Sequence, residues 1–193
     1  MRTRLASELT PYDYQVVRDN FVWPDHIARL LTTAGIVAWF GPGTVCDPAC
    51  GDASILEAAY RLRPFVSAIL GDISVPQIEA LRPSFPAKLR FGTAIETLGD
   101  LPDKSVDVVV LTEILEHVED PETLLREARR VGGALVASSP IDEVPGTGNH
   151  EHVWSYSTGD YFDMLREAGW NPVISQMLEL PGYVYRFQTW GCR

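Results

Sequence analysis

The sequence predicts an α/β fold, doubly wound around a mostly parallel seven-stranded sheet whose last strand is antiparallel. Three observations predict it. Short β-type runs alternate with helical runs between residues 44 and 168, the pattern of a parallel sheet covered by helices. The last two β-type runs are joined by a short connection containing Pro181-Gly182, which favours a hairpin. The chain has 193 residues, 46% of them apolar, enough for one compact domain and too apolar for a disordered chain.

The β-type runs are residues 44–48, 67–73, 88–92, 106–112 and 134–139, followed by 173–178 and 184–190. Between the first five lie helical runs at 54–63, 75–81 and 122–131. Asp120-Pro121-Glu122 is a helix start, with a capping side chain, a proline at the first position and an acid in the first turn. A fourth helix over 157–168 carries Tyr161, Met164, Leu165 and Ala168 on one stripe, and Gly169 closes it. The beginning of the chain stands apart. Tyr12, Tyr14, Phe21 and Trp23 precede a helical stretch near 25–33. Residues 1–35 are read as a helical cap segment and 36–193 as the main domain.

Sixteen basic residues against 26 acidic ones give a net charge of −10, and Lys88 and Lys104 are the two lysines. Such a chain repels phosphate backbones on average and suits a cationic ligand. The first fifteen residues hold no signal-peptide stretch, and no apolar run approaches the ~20 residues a membrane span needs. The three cysteines are too few and odd in number for a disulfide scaffold. A soluble, cytoplasmic protein is the expectation.

In a doubly wound sheet, ligands bind outside the carboxyl ends of the strands. The first loop there is Asp47-Pro48-Ala49-Cys50-Gly51-Asp52-Ala53-Ser54, whose small residues let backbone approach a ligand. Asp72 closes the next strand, where a carboxylate can accept hydrogen bonds from both hydroxyls of a ribose. A dinucleotide fingerprint fails, because Ala49 and Ser54 stand where two of its three glycines belong.

These residues resemble class I S-adenosylmethionine-dependent methyltransferases, most closely the small-molecule branch, over about residues 36–190. Asp47–Ala53 looks like the loop that holds the methionine moiety, and Asp72 stands at the ribose-binding acid. Phe91-Gly92-Thr93-Ala94 looks like the adenine-edge loop. Thr112-Glu113-Ile114-Leu115-Glu116-His117-Val118 is similar to the segment after the fourth strand, and Gly132–Val136 to the fifth strand. The resemblance implies S-adenosylmethionine as cofactor, contacted by Asp47, Ala49, Cys50, Gly51, Asp72, Ile73, Thr93, Ala94, Thr112 and Glu113. Ala49 and Ala53 depart from the glycines expected there. Thr93 replaces an acid, which shifts adenine recognition towards the backbone at Ala94.

The implied reaction is methyl transfer to an oxygen or nitrogen of a small molecule. A base is needed only where the acceptor holds its proton, and the candidates are His117 and His152, the latter preferred to His150. Trp154 and Tyr156 are candidate pocket walls or packing residues. No metal is assigned in this reading. An alternative uses Glu113, Glu116 and His117, on one face if their segment is helical. With His152 they resemble the divalent-metal site of RNA 3′-terminal 2′-O-methyltransferases, although Ser139-Pro140-Ile141-Asp142 lacks the asparagine expected there. Asp47-Pro48-Ala49-Cys50-Gly51 also looks like the loop of DNA adenine methyltransferases, but their base-gripping motif is absent after the fourth strand. A non-catalytic cofactor-binding module is the remaining alternative.

Overall fold

The structure, a computed structural model, describes residues 2–5, 24–144, 149–183 and 185–193. Seven strands form one sheet: β2 (Thr44–Asp47), β3 (Ser67–Asp72), β4 (Ala87–Phe91), β5 (Val106–Thr112), β6 (Gly132–Pro140), β8 (Pro172–Glu179) and β9 (Arg186–Cys192). Two further strands, β1 (Thr3–Arg4) and β7 (Trp154–Ser155), pair antiparallel as a separate ribbon. The main sheet is ordered β4-β3-β2-β5-β6-β9-β8. β9, last in the chain, is antiparallel to both neighbours, and the expected architecture is the one observed.

Six helices cover the sheet: α1 (Pro24–Phe40), α2 (Ser54–Leu62), α3 (Val75–Ala80), α4 (Ala94–Gly99), α5 (Pro121–Val131) and α6 (Thr158–Glu167). One apolar core joins Leu98, Leu125, Leu165 and Trp170 to one sheet face, and the other joins Val37, Leu56 and Phe65 to the opposite face. α5 buries Leu124, Leu125, Ala128 and Val131 at the spacing of one helical face. Each such leucine contributes about 1.5–3 kcal/mol when fully buried. Trp170 adds an indole hydrogen bond to the carbonyl of Leu125 at 3.1 Å.

Most boundaries fall within a residue or two of expectation. Two differences matter. The helical stretch expected near 25–33 extends to Phe40, so the boundary after residue 35 falls inside a helix. The reason is packing: a Cβ at Gly191 would lie 2.9 Å from Ile36 Cγ2 and 3.0 Å from Phe40 Cε2, so the second half of α1 rests directly on β9. The second difference is α4, which the sequence reading passed over. Thr93 and Glu96 form a reciprocal capping box at its start, the S/T-x-x-E signature of a helix N-terminus. The aromatic cluster Tyr12, Tyr14, Phe21 and Trp23 lies outside the described residues.

Candidate active site

A cavity of about 770 Å³ opens at the carboxyl edge of β2, β3, β5 and β6. One end is the loop from Pro48 to Ala53. Cys50 N–H donates to the Gly71 carbonyl at 2.8 Å, tying the loop to β3. A Cβ at Gly71 would sit 3.0 Å from the Pro48 carbonyl oxygen, so glycine is what permits that approach. Ala53 caps α2 with φ 60°, a left-handed conformation that costs an L-residue about 1–2 kcal/mol. Glycine would take it without strain.

Asp72 closes this end. Its carboxylate accepts from Gly51 N–H at 3.0 Å and from Ser74 N–H at 2.8 Å. An ionised carboxylate has about four acceptor sites, so two remain for a ligand's hydroxyls. Ala49, Cys50, Gly51, Ile73, Thr93, Ala94, Thr112 and Glu113 also line the cavity. Thr93 is committed elsewhere: its hydroxyl bonds the Glu96 carboxylate at 2.7 Å and caps α4. Asp47 does not line the cavity, against the expectation of a cofactor contact. It lies 2% exposed behind the loop, where its carboxylate accepts from Ala49 N–H at 3.3 Å. Burial raises its pKa to about 7, because no cation compensates the buried charge.

The other end is polar. The segment after β5 is a single turn closed by the 3.0 Å bond from His117 N–H to the Ile114 carbonyl, not the helix on which the four-ligand metal pattern depends. Glu113 takes a left-handed φ of 53°. Its carboxylate is drawn to the Ser138 hydroxyl at 2.7 Å and to Arg29 Nη1 at 3.8 Å. Glu116 turns inward, fully buried, with no hydrogen-bond partner on either carboxylate oxygen. Burial, with the Glu113 charge beside it, holds its pKa well above the ordinary carboxylate range.

His117 and His152 both line the cavity, with ring centroids 4.6 Å apart in an edge-to-face arrangement. His117 Nδ1 lies 3.1 Å from the Glu151 carbonyl, and His152 Nδ1 2.8 Å from Glu143. Both partners are acceptors, so each Nδ1 donates. The Nδ2 amide of Asn149 lies 3.4 Å from His152 Nε2. His150, by contrast, is exposed. Trp154 and Tyr156 are not walls. They brace the turn from behind, donating to the carbonyls of Val118 and Leu115, each at 2.9 Å. Arg2 and Arg4 stack on Trp154 at 4.0 and 5.0 Å, and they pair with Glu122 and Glu119.

Several lining residues were not anticipated. α1 contributes His26, Arg29 and Leu30, Tyr185 lines the cavity just before β9, and Phe187 does so from the strand itself. Arg29 is the one lysine or arginine among the described lining residues, 5% exposed, with its Nε unpartnered.

Residues 46–137 match the family model described as a methyltransferase domain. The matched segment spans β2 to β6, whose carboxyl ends border the cavity. The chain is 28% identical over 166 residues to a ubiquinone biosynthesis O-methyltransferase of Ruegeria pomeroyi, covering 75% of this chain and 64% of that protein. It is 34% identical over 102 residues to an uncharacterised methyltransferase of Mycobacterium tuberculosis, covering 51% and 49% of the two. The chain thus spans less than two thirds of the length of these relatives. Its fold is similar to that of a solved Burkholderia thailandensis 1,6-didemethyltoxoflavin-N1-methyltransferase with S-adenosylhomocysteine bound, at a TM-score of 0.68, 17% identity and coverage of 100% and 94%. An S-adenosylmethionine-dependent methyltransferase from Archaeoglobus fulgidus aligns at a TM-score of 0.67, 18% identity and coverage of 88% and 94%. Among the described residues, no helix is long and apolar enough to cross a membrane.

Proposed function

We propose that this protein methylates an oxygen or nitrogen of a small molecule, using S-adenosylmethionine. The observation that carries the reading is one cavity with two unlike ends: a braced loop with a half-satisfied carboxylate, Asp72, and a cluster of imidazoles and carboxylates. When bound, S-adenosylmethionine supplies a methyl group on a positively charged sulfur. The residues fit it. Asp72 has two acceptor sites left for the ribose, and Gly51 and Ala49 offer close backbone to the methionine part. Ala94 backbone takes the adenine edge, since the Thr93 hydroxyl is already paired. Arg29 is placed to hold the methionine carboxylate and Glu113 its ammonium group.

The chain's own work is alignment and exclusion of water, which can supply much of a displacement reaction's acceleration. α1 lines the cavity through His26, Arg29 and Leu30. Leu30, Phe187 and Tyr185 give the acceptor an apolar and aromatic wall, and the His117–His152 end activates it. A single arginine in the lining is a poor match for a nucleic-acid backbone, which needs several cationic contacts. A small acceptor is therefore favoured over an RNA terminus. Calorimetric titration with S-adenosylmethionine and S-adenosylhomocysteine tests the reading. One-to-one binding followed by turnover in a screen of small hydroxyl and amine acceptors is expected. Absence of binding to either nucleoside overturns it.

A further inference from the structure

We propose that β8 is a dimerisation edge: it pairs antiparallel with β8 of a second copy of this chain, joining two seven-stranded sheets into one. The two ends of the sheet are unlike. A terminal strand presents a row of backbone donors and acceptors without partners, and soluble chains blunt such an edge with charged side chains, proline or bulges. β4, at one end, has Lys88 and Arg90 among its five residues. β8, at the other end, pairs with β9 alone. Its residues 173–178 read Val-Ile-Ser-Gln-Met-Leu, with no charge and no proline. Among the described residues, no backbone hydrogen bond reaches β8 from any strand but β9. A register irregularity between Pro172 and Ile174 blunts the beginning of the edge and leaves 174–179 regular.

The occupant that fits this edge is another β8. A two-fold axis normal to the sheet sets identical strands antiparallel, with like faces on the same side. With the axis at Gln176, residue 174 meets 178 and residue 175 meets 177. Side chains alternate between the two faces along a strand. Ile174 packs with the core beneath α1, so Leu178 shares that face. The pairing sets Ile174 of each copy against Leu178 of the other. On the opposite face Ser175 meets Met177, which is exposed and lies beside the Thr158 hydroxyl of α6. Phe162 of α6, also exposed, adds apolar surface on that side, its ring 5.9 Å from Trp190.

Charge fits as well. Glu179 ends β8 on the α6 face and has no ion pair among the described residues. Arg186, opposite it on β9, is turned to Asp142 at 2.9 Å. Arg166 of α6 likewise lacks an acidic partner among the described residues; it bonds the amide oxygen of Asn171 at 2.9 Å, just before β8 begins. The axis at Gln176 brings Glu179 beside Val173 of the second copy, two residues from that Asn171. Each copy's free carboxylate therefore approaches the other's free guanidinium. No like charges face each other across 173–179, and opposite charges and apolar pairs both favour strand pairing.

The test is sedimentation velocity with light scattering on the full-length protein, from micromolar to millimolar concentration. A species of twice the 21.4 kDa chain mass is expected, in concentration-dependent equilibrium with the single chain. Gln176→Lys sets two positive charges face to face on the axis and should weaken the dimer about tenfold or more. Glu179→Arg should weaken it too, and adding Arg166→Glu to that variant should recover most of the loss. All three positions are exposed, so each variant is expected to keep the wild-type circular dichroism. A chain that stays single at millimolar concentration overturns the proposal. So does a dimer indifferent to Gln176→Lys, or a Glu179→Arg loss that Arg166→Glu fails to recover.

Discussion

Replacing Arg29 by methionine removes one charge and keeps most of the apolar stem. Arg29 is 5% exposed, its Nε has no partner, and its Nη1 lies 3.8 Å from the Glu113 carboxylate. That separation is beyond a hydrogen bond, so a ligand carboxylate does not have to displace one. A hydrogen bond to a charged group contributes about 1.5–3 kcal/mol, which at 1.4 kcal/mol per decade corresponds to a loss of roughly 10- to 100-fold. The assay compares two ligands by calorimetry. S-adenosylhomocysteine carries the carboxylate; 5′-methylthioadenosine shares the nucleoside and lacks the amino acid. Arg29→Met should weaken the first by that factor and leave the second within about twofold. The Phe187 ring under the guanidinium, 5.5 Å from Cζ, remains to pack against the methionine. An equal loss for both ligands would mean that Arg29 shapes the cavity instead of holding the carboxylate. No loss for either would remove it from the site.

Asp72→Asn keeps the side chain's shape while removing the charge and one acceptor oxygen; S-adenosylhomocysteine affinity should fall about tenfold or more, and an unchanged value would refute the ribose placement. Tyr161→Phe should stabilise the protein by about 1 kcal/mol, since the Tyr161 hydroxyl is buried and unpartnered; for this size a rise of about 2–4 °C in Tm is expected. Asp47 has a folded pKa of about 7 against 3.8 in the unfolded chain. Between those values the folded state keeps a proton that the unfolded state has released, so the residue makes stability fall as pH rises, by at most about 1.4 kcal/mol per pH unit. Asp47→Asn should remove that slope, and its stability advantage in urea unfolding should be larger at pH 7.5 than at pH 5.

The sheet was legible because β2, β3 and β5 are short runs rich in apolar residues, each followed by a helix with its own start signal. Asp120-Pro121-Glu122 is one such signal and the Ser157 cap another. That Ala49, Gly51 and Asp72 line one cavity was legible for a similar reason: they lie at strand ends, which the doubly wound topology gathers at one edge. Asp47 misled because it sits in the same loop but points behind it, and sequence spacing does not report direction. Arg29, Tyr185 and Phe187 were illegible because they reach the cavity from elements far away in the chain. Nothing local marks Arg29 as buried on a helix that also carries exposed Leu31 and Trp39. Glu113 shows the same limit in reverse. Its spacing to Glu116 and His117 suggested a shared helical face, and a left-handed backbone angle turned it towards Ser138.

The reversal of β9 divides the cavity's labour across the sheet. A strand parallel to its neighbours would bring its end to the carboxyl edge; β9 brings its beginning, so Tyr185 and Phe187 line the cavity from one half of the sheet while Asp72 and Gly51 line it from the other. Within the sheet the two halves meet along the pairing of β2 with β5. The hairpin of β8 and β9 forms one end of the sheet, apart from the loop that follows β2. On the proposed reading, acceptor preference belongs to the residues near that end of the sheet, and grafting the hairpin between related domains is expected to carry it.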